Sequence, residues 1–344
     1  MRLFQAVADF RDRGYASVPE VFCARPDRFM ADPTTPATNT AAPRIATATV
    51  TENASLCQEH YRLSFTVQAL RDALPGQFMH LSPERESAAT QAATIAPATE
   101  PLLRRAFSIA GLTRHADCVE IDVIYRVVGT ATRWMASLRK GDRISVLGPQ
   151  GNEFPISSSK QQAWLIAGGV GLPPMLWLAQ ALNAAGKRTV AFFGAQRGDL
   201  IPLTLDPASP PSVHAHTATL SAAEFNESDT GVVISTDDGS VGFKGHVGAA
   251  LANYHEANPI DTGDVVAYTC GPERMMRYVA ELCIARGIEC HVCLERTMAC
   301  GTGMCQSCVV AIDDDSDPDG WRYRLCCTEG PVFNAASVIW ETPA

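Results

Sequence analysis

Cys300, Cys305 and Cys308 stand at C-x4-C-x2-C spacing in the run from Met298 to Cys308, and gaps of 17 and 18 residues then lead to Cys326 and Cys327. Three thiolates at this spacing, with a fourth from farther along, match a [2Fe–2S] site of the ferredoxin type. Gly301 and Gly303 let backbone N–H groups turn toward sulfide. Zinc is the rival, because Cys290-x2-Cys293 and Cys305-x2-Cys308 form two CxxC pairs, the spacing of a tetrahedral four-thiolate site. Against zinc, Cys290 and Cys293 lie in a stretch that reads as a strand (ECHVCLE), and Cys300 would go unused.

A second chemistry is written in glycine. Ala167-Gly168-Gly169-Val170-Gly171-Leu172-Pro173-Pro174 follows an apolar strand and opens a helix, where glycine lets backbone approach a pyrophosphate at the positive helix end. Cys270-Gly271-Pro272 ends another strand, the edge at which parallel sheets bind ligands, and there Cys270 could lie beside a nicotinamide ring. Earlier in the chain, Leu103-Arg104-Arg105-Ala106-Phe107-Ser108-Ile109 places a guanidinium and a hydroxyl three residues apart. Arginine suits a diphosphate because its planar fork meets two oxygens at once. Gly129-Thr130-Ala131-Thr132 precedes a short helix and offers N–H groups and a hydroxyl to a phosphate. Taken singly, each has a plainer reading: an unliganded strand–helix turn, an inert buried thiol, a solvent-facing arginine pair and an ordinary helix cap.

These residues need elements to hold them, and 344 residues suffice for two or three domains. Residues 1–43 end in a Pro/Thr/Ala tract too polar and breaker-rich to pack, a flexible extension. From 44 to 158, short alternating runs (IATATVTE, YRLSFTVQ, FMHL, VEIDVIYRVV, RISVLG) predict an antiparallel β-barrel, interrupted by an Ala/Thr/Glu insertion near 82–100. From 159 to 288, strand and helix alternate, predicting an α/β parallel doubly wound sheet. From 289 to 344 periodicity stops, and something other than a hydrophobic core must hold this small C-terminal cysteine-rich segment.

Composition excludes other classes. A net charge of −9 with no basic run is a poor match for a nucleic-acid backbone. The uncharged run from Gln161 to Gly186 is long enough to cross a membrane, but Gly168, Gly169, Gly171, Pro173 and Pro174 divide it into strand, turn and helix. The N-terminus carries acids and arginines where a signal peptide would be apolar, so no membrane association and a cytoplasmic location are expected, with thiols free for metal rather than for disulfides.

Assembled in this order, the chain from about residue 44 onward resembles the electron-transfer subunits of the NAD-linked, two-subunit bacterial dihydroorotate dehydrogenases, within the ferredoxin–NADP reductase superfamily. The stretches that carry the resemblance are PGQFMHL, LLRRAFSI, YRVVGTATRWM, LGPQGNEF, IAGGVGLPPM, TDDGSVGFKGHVG, YTCGPERMM, LERTMACGTGMCQSC and CCTEGPVF. The resemblance implies an FAD-binding barrel, an NAD-binding domain and a [2Fe–2S] domain. It implies that Arg105 grips the flavin diphosphate, that Ser108 lies near the isoalloxazine N5, and that Ala106, Phe107, Ile124, Tyr125, Arg126, Ala131 and Thr132 line the rest of FAD. Gly168, Gly169, Gly171 and Gly271 would face NAD, with Asp237 and Asp238 repelling a 2′-phosphate and Arg197 acting against that preference. Ala106-Phe107 departs from the usual Pro-aliphatic pair.

The resemblance also places an acidic-Gly-Pro turn one residue after the last cluster ligand, an offset that Cys327 has and Cys326 lacks. In an extended segment the two would point to opposite faces, so only one could join Cys300, Cys305 and Cys308. No (β/α)8 run is present, so oxidation of dihydroorotate is expected in an FMN-containing catalytic partner, in a hetero-oligomer, with the heterotetramer as the expected form, serving pyrimidine (UMP) biosynthesis. Other readings are an oxygenase reductase, whose last cysteine gap is much longer, a bifurcating NAD(P)H–ferredoxin oxidoreductase, which has Asp where Cys300 stands, and a zinc-stabilised docking module.

Overall fold

The computed structural model describes residues 44–68, 73–84 and 101–340. The N-terminal extension and residues 85–100 of the insertion lie outside them.

The barrel strands are β1 (Arg44–Cys57), β2 (His60–Val67), β3 (Phe78–Pro83), β4 (Arg105–Ser108), β5 (Gly111–Arg114), β6 (Val119–Arg126) and β7 (Arg143–Gln150). They form one antiparallel sheet in the order β4-β3-β7-β1-β2-β6-β5. Period-two patterning builds it: Val119, Ile121 and Val123 of β6 enter a core with Leu63, Phe65 and Ile144, while Glu120 and Asp122 face outward. The short helix α1 (Thr130–Ser137) is pinned to this sheet by Asn53, whose amide donates to the carbonyls of Met135 and Leu138, groups that a helix C-terminus leaves unpaired.

The second sheet has the order β11-β10-β9-β8-β12-β13-β16. Its strands are β8 (Gln162–Gly168), β9 (Arg188–Ala195), β10 (Gly231–Thr236), β11 (Phe243–Lys244), β12 (Val265–Cys270), β13 (Glu289–Cys293) and β16 (Val332–Asn334). All pairings are parallel except β13 with β16. The chain runs outward from β8 through β9 and β10, then returns to build β12 and β13 on the other side, so the order reverses beside β8. Ligands of such sheets bind in the crevice at that reversal, outside the strands' carboxyl ends. Helix α2 (Leu172–Ala184) buries every residue from Leu172 to Ala179, and Trp177 reaches into the barrel core. A helix apolar all round is explained by burial between layers, which accounts for the uncharged run. Helices α3 (Val247–Ala257) and α4 (Glu273–Ala285) pack on the sheet.

The C-terminal segment differs from expectation in two ways. Strand β13, at its beginning, belongs to the nucleotide sheet, and β16 adds to the edge of β13. A hydrophobic core does hold it: Val310 and Ile312, from the strand β14 (Val309–Asp313), and Cys308 just before it join Cys326 and Val338 in the core of the nucleotide sheet. β14 pairs with β15 (Trp321–Leu325), where Arg324 bridges Asp314 and Glu329. Asn152, just beyond β7, fastens this segment to the barrel, donating to the carbonyls of Glu329 and Val332 and accepting from Val332 N–H.

Candidate functional site

A cavity of about 700 Å³ opens at the reversal beside β8, between the two sheets. Its barrel wall carries Ala106, Phe107 and Ser108 of β4, Ile124, Tyr125 and Arg126 of β6, and Thr132 of α1. Tyr125 is stacked on Tyr61 with ring centroids 5.7 Å apart, and its hydroxyl donates to Asn53 at 3.1 Å. Arg126 is held by Glu59 at 2.9 Å. The result is a mostly apolar wall with a hydroxyl at Ser108, chemistry that suits a heteroaromatic ring.

The phosphate-directed residues stand differently from one another. Arg104 is committed to Ser145, through the carbonyl at 3.1 Å and the hydroxyl at 2.8 Å. Arg105 is exposed and outside the cavity lining, its guanidinium folded back onto the carbonyls of Leu103 and Arg104. Of the pair, only Arg105 can swing toward a ligand without breaking a core contact. The Thr132 hydroxyl accepts from the N–H groups of Val128 and Gly129, so it caps its own helix, and Ala131 lies beside it off the lining.

On the nucleotide side, Gly168, Gly169, Gly194, Ala195, Gln196 and Asp237 line the cavity at the ends of β8, β9 and β10. Gly171 does not. It is buried, and a Cβ there would lie 2.1 Å from the carbonyl oxygen of Cys270, so this glycine serves close packing of the helix start on β12. Gly271 likewise packs against Gly168, outside the lining. Cys270 is 0% exposed and its thiol is hydrogen-bonded to Cys293, an interaction that, with burial, holds its pKa well above the thiol range. The neighbouring thiol Cys293 lines the cavity in its place. Arg197 forms a bidentate pair with Asp199 at 3.0 and 3.1 Å. Asp238 accepts from the hydroxyl and N–H of Ser240.

In the cysteine loop, burial opposes ionisation of Cys300, but the N–H groups of Thr302 and Cys305, each 3.4 Å from its sulfur, outweigh it and bring the thiol down to about 6. A hydrogen bond from the Cys327 thiol brings Cys308 down to about 6, while the same contact raises Cys327. Cys305 is exposed at the rim, 3.2 Å from the Ser307 hydroxyl. Cys326 and Cys327 occupy the turn after β15 rather than an extended segment, and the turn still separates them: Cys327 meets Cys308 and Cys326 is buried in the core. Among the described residues no three Cys, His, Asp or Glu side chains converge on one point as a single-ion cage. A two-iron cluster divides its four thiolates between two irons and does not ask for that convergence. The zinc set has a separate difficulty. Cys290 and Cys293 are three apart on one strand and enter cores on opposite faces of the sheet, so they cannot grip one ion.

The sequence reasoning passed over Phe78, His246, Met275, Cys293, Glu295 and Met298 as site residues, although all line the cavity. Glu295 is reachable from the cavity yet surrounded by protein, and burial raises its carboxyl above the usual range. His246 caps α3 by accepting from Ala249 N–H at 3.1 Å. The signal available for both was their place in the stretches LERTMAC and FKGHVG; neither spacing pointed to a cavity.

A curled antiparallel sheet joined to a nucleotide sheet across one cavity, followed by a thiolate loop, defines a reductase of the ferredoxin–NADP reductase kind with an iron–sulfur segment. Residues 165–281 match a family model described as an oxidoreductase NAD-binding domain, and residues 295–339 match one described as the iron–sulfur cluster binding domain of dihydroorotate dehydrogenase B. The electron transfer subunit of dihydroorotate dehydrogenase B (NAD(+)) from Bacillus cereus is 32% identical over 268 residues, 77% of this chain and 86% of that protein. The Fusobacterium nucleatum subunit is 30% identical over 301 residues, 87% of this chain and 100% of that protein. The chain belongs to this family of electron-transfer subunits. In fold, it superposes with TM-score 0.65 and 24% identity on an NADH-dependent reduced ferredoxin-NADP oxidoreductase studied for flavin-based electron bifurcation, over 88% of this chain and 91% of that one. No helix among the described residues is long and apolar enough to cross a membrane.

Proposed function

We propose that this chain is the electron-transfer subunit of an NAD-linked dihydroorotate dehydrogenase, reducing NAD⁺ with electrons that an FMN-containing catalytic subunit withdraws from dihydroorotate in pyrimidine biosynthesis. FAD, when bound, couples single-electron to hydride chemistry, and a [2Fe–2S] cluster supplies the single-electron transfers. Ala106, Phe107, Ser108, Ile124, Tyr125 and Arg126 form the wall for the flavin ring, and its diphosphate is assigned to Thr132 on the lining with Arg105 and Ala131, outside it, turning in when FAD binds. Gly168, Gly169 and Asp237 receive the nicotinamide nucleotide, and Cys300, Cys305, Cys308 and Cys327 hold the cluster.

The observation that carries this reading is covalent. Met298 lines the cavity and Cys300 is two residues further on. Two residues span at most about 7 Å, so the thiolate loop cannot be far from the ring wall. On its outer side the loop exposes Met304 (85%) and Cys305, which leaves its rim open to a partner subunit.

The purified full chain should contain FAD and two irons, show bleachable visible absorption beyond the flavin bands, and oxidise NADH with an artificial acceptor. Dihydroorotate-dependent NAD⁺ reduction should appear only when the FMN subunit is added. That activity in the chain alone, or one zinc per chain without iron, would overturn the reading.

A further inference from the structure

A continuous chain of hydrogen bonds runs from the face of β3 turned away from the barrel core, opposite Met79 and Leu81, to a cysteine of the loop. Gln150, the last residue of β7 and 3% exposed, donates from Nε2 to the carbonyl of Gly301 at 2.5 Å. Its Oε1 faces Nδ1 of His80 at 2.5 Å. His80, on β3, is 0% exposed and pairs in register with Ala106 of the cavity wall.

The donor directions follow from what each group can do. A backbone carbonyl only accepts, so the Gln150 amide must turn its nitrogen to Gly301 and its oxygen to His80. His80 Nδ1 therefore carries the proton. Burial lowers the imidazole pKa and keeps the ring neutral, so Nε2 is left as an acceptor, buried and without a hydrogen-bond partner among the described residues. Among those residues the hydrogen bond of the ring goes to orienting Gln150.

The last link is inside a single peptide group. The Gly301 carbonyl and the Thr302 N–H share one amide, and that N–H points at the Cys300 sulfur from 3.4 Å. A donor placed on the carbonyl polarises the amide and strengthens its N–H as a donor. Gly301 is what allows the approach: its φ is +70°, and a Cβ there would sit 2.4 Å from His80 Cε1 and 2.6 Å from Gln150 Nε2.

We propose that His80 and Gln150 are positioning residues that set the reduction potential of the iron–sulfur cluster, acting on the Cys300 sulfur through the Gly301–Thr302 peptide. The inference rests on the reading of Cys300 as a cluster ligand. Hydrogen bonds to cluster sulfurs stabilise the more negative, reduced form and raise its potential. Loss of the relay lowers it.

The test is an EPR-monitored redox titration of the full chain carrying FAD and cluster, with parent, Gln150→Leu and Gln150→Glu. Leucine keeps the bulk and removes both hydrogen bonds. Glutamate keeps an acceptor for His80 and, titrated at a pH high enough to ionise a buried carboxyl, cannot donate to Gly301 and adds negative charge. With two irons and FAD retained, both variants should titrate at more negative potential, Gln150→Glu at least as far as Gln150→Leu. The one-electron equilibrium between cluster and flavin should move by about tenfold, which is ~59 mV. An unchanged cluster potential and EPR spectrum in both iron-replete variants would refute the relay. Loss of iron from both with FAD retained would also refute it, since the residues would then build the loop and not tune it. A Cys300→Ser variant with parental iron content and spectrum would instead remove the ligand reading on which the relay rests.

Discussion

Replacing Gly171 by alanine separates two roles that a glycine-rich turn can have. Its φ of −76° and ψ of −5° are ordinary for alanine, so the substitution carries no backbone strain. The added Cβ would lie 2.1 Å from the Cys270 carbonyl oxygen, 2.3 Å from its carbon and 2.6 Å from Gly271 N, all far inside ordinary contact. All three are backbone atoms at the end of β12, so relief requires α2 to retreat, and α2 is wedged between the two sheets. Overpacking of this kind costs about 1–3 kcal/mol, and with no flexible neighbour to yield we expect about 3 kcal/mol. At roughly 2–4 °C per kcal/mol for a unit of this size, Tm should fall by about 6–12 °C. Gly169→Ala gives the contrast. Nothing lies within 4 Å of its added Cβ, its φ of +53° costs about 1–2 kcal/mol, and it lines the cavity. Its main effect should be a higher KM for NADH. Thermal melting of the holoprotein and NADH–dye kinetics read both quantities. If Gly171→Ala melts within about 2 °C of the parent while its KM for NADH rises about tenfold, the packing argument is wrong and the glycine serves the ligand after all.

The chain should prefer NADH to NADPH, because Asp237 lines the cavity and Arg197 is occupied by Asp199. Asp199→Asn should raise kcat/KM for NADPH relative to NADH by freeing that guanidinium; an unchanged ratio would show that Arg197 does not face the ribose. Cys327→Ser should lose most of the iron and Cys326→Ser should retain it, as iron analysis and visible spectra will read directly, and the opposite result would move the ligand by one position.

Local pattern made much of the fold legible. The alternation in VEIDVIYRVV and the apolar run before Gly168 both became the strands they predicted, because one face or both faces of each is buried by its immediate neighbours. What could not be read depends on partners distant in the chain. ECHVC reads as a strand, but nothing in it says that it pairs with Val265–Cys270 on one side and with Val332–Asn334 on the other. The same holds within the site. Ser108 and Gly168 announce themselves by motif, whereas Glu295, His246 and Met275 reach the cavity only because the segment after β13 and the starts of α3 and α4 all come to the sheet's reversal. Gly171 and Cys270 were read as ligand-facing because their motif is defined along the chain. Whether a motif residue faces the ligand or the strand behind it is decided by depth, which spacing does not record.

The thiolate segment is therefore not a module appended to a reductase. Its first strand is a strand of the nucleotide sheet, its last strand closes that sheet's edge, its hairpin shares the sheet's core, and Asn152 and Gln150 tie it to the barrel. Such a segment has little freedom to move relative to the cavity, because each tie comes from an element already fixed by its own core. Even a small displacement of the loop would break the contact of Gly301 with Gln150 and His80. A tethered domain on a flexible linker would have met the covalent limit set by Met298 equally well and would have left the distance to vary. Here the backbone that lines the cavity at Cys293 and Met298 is the backbone that presents Cys300, so the geometry of the cavity and the placement of the cysteine loop are set by one continuous segment.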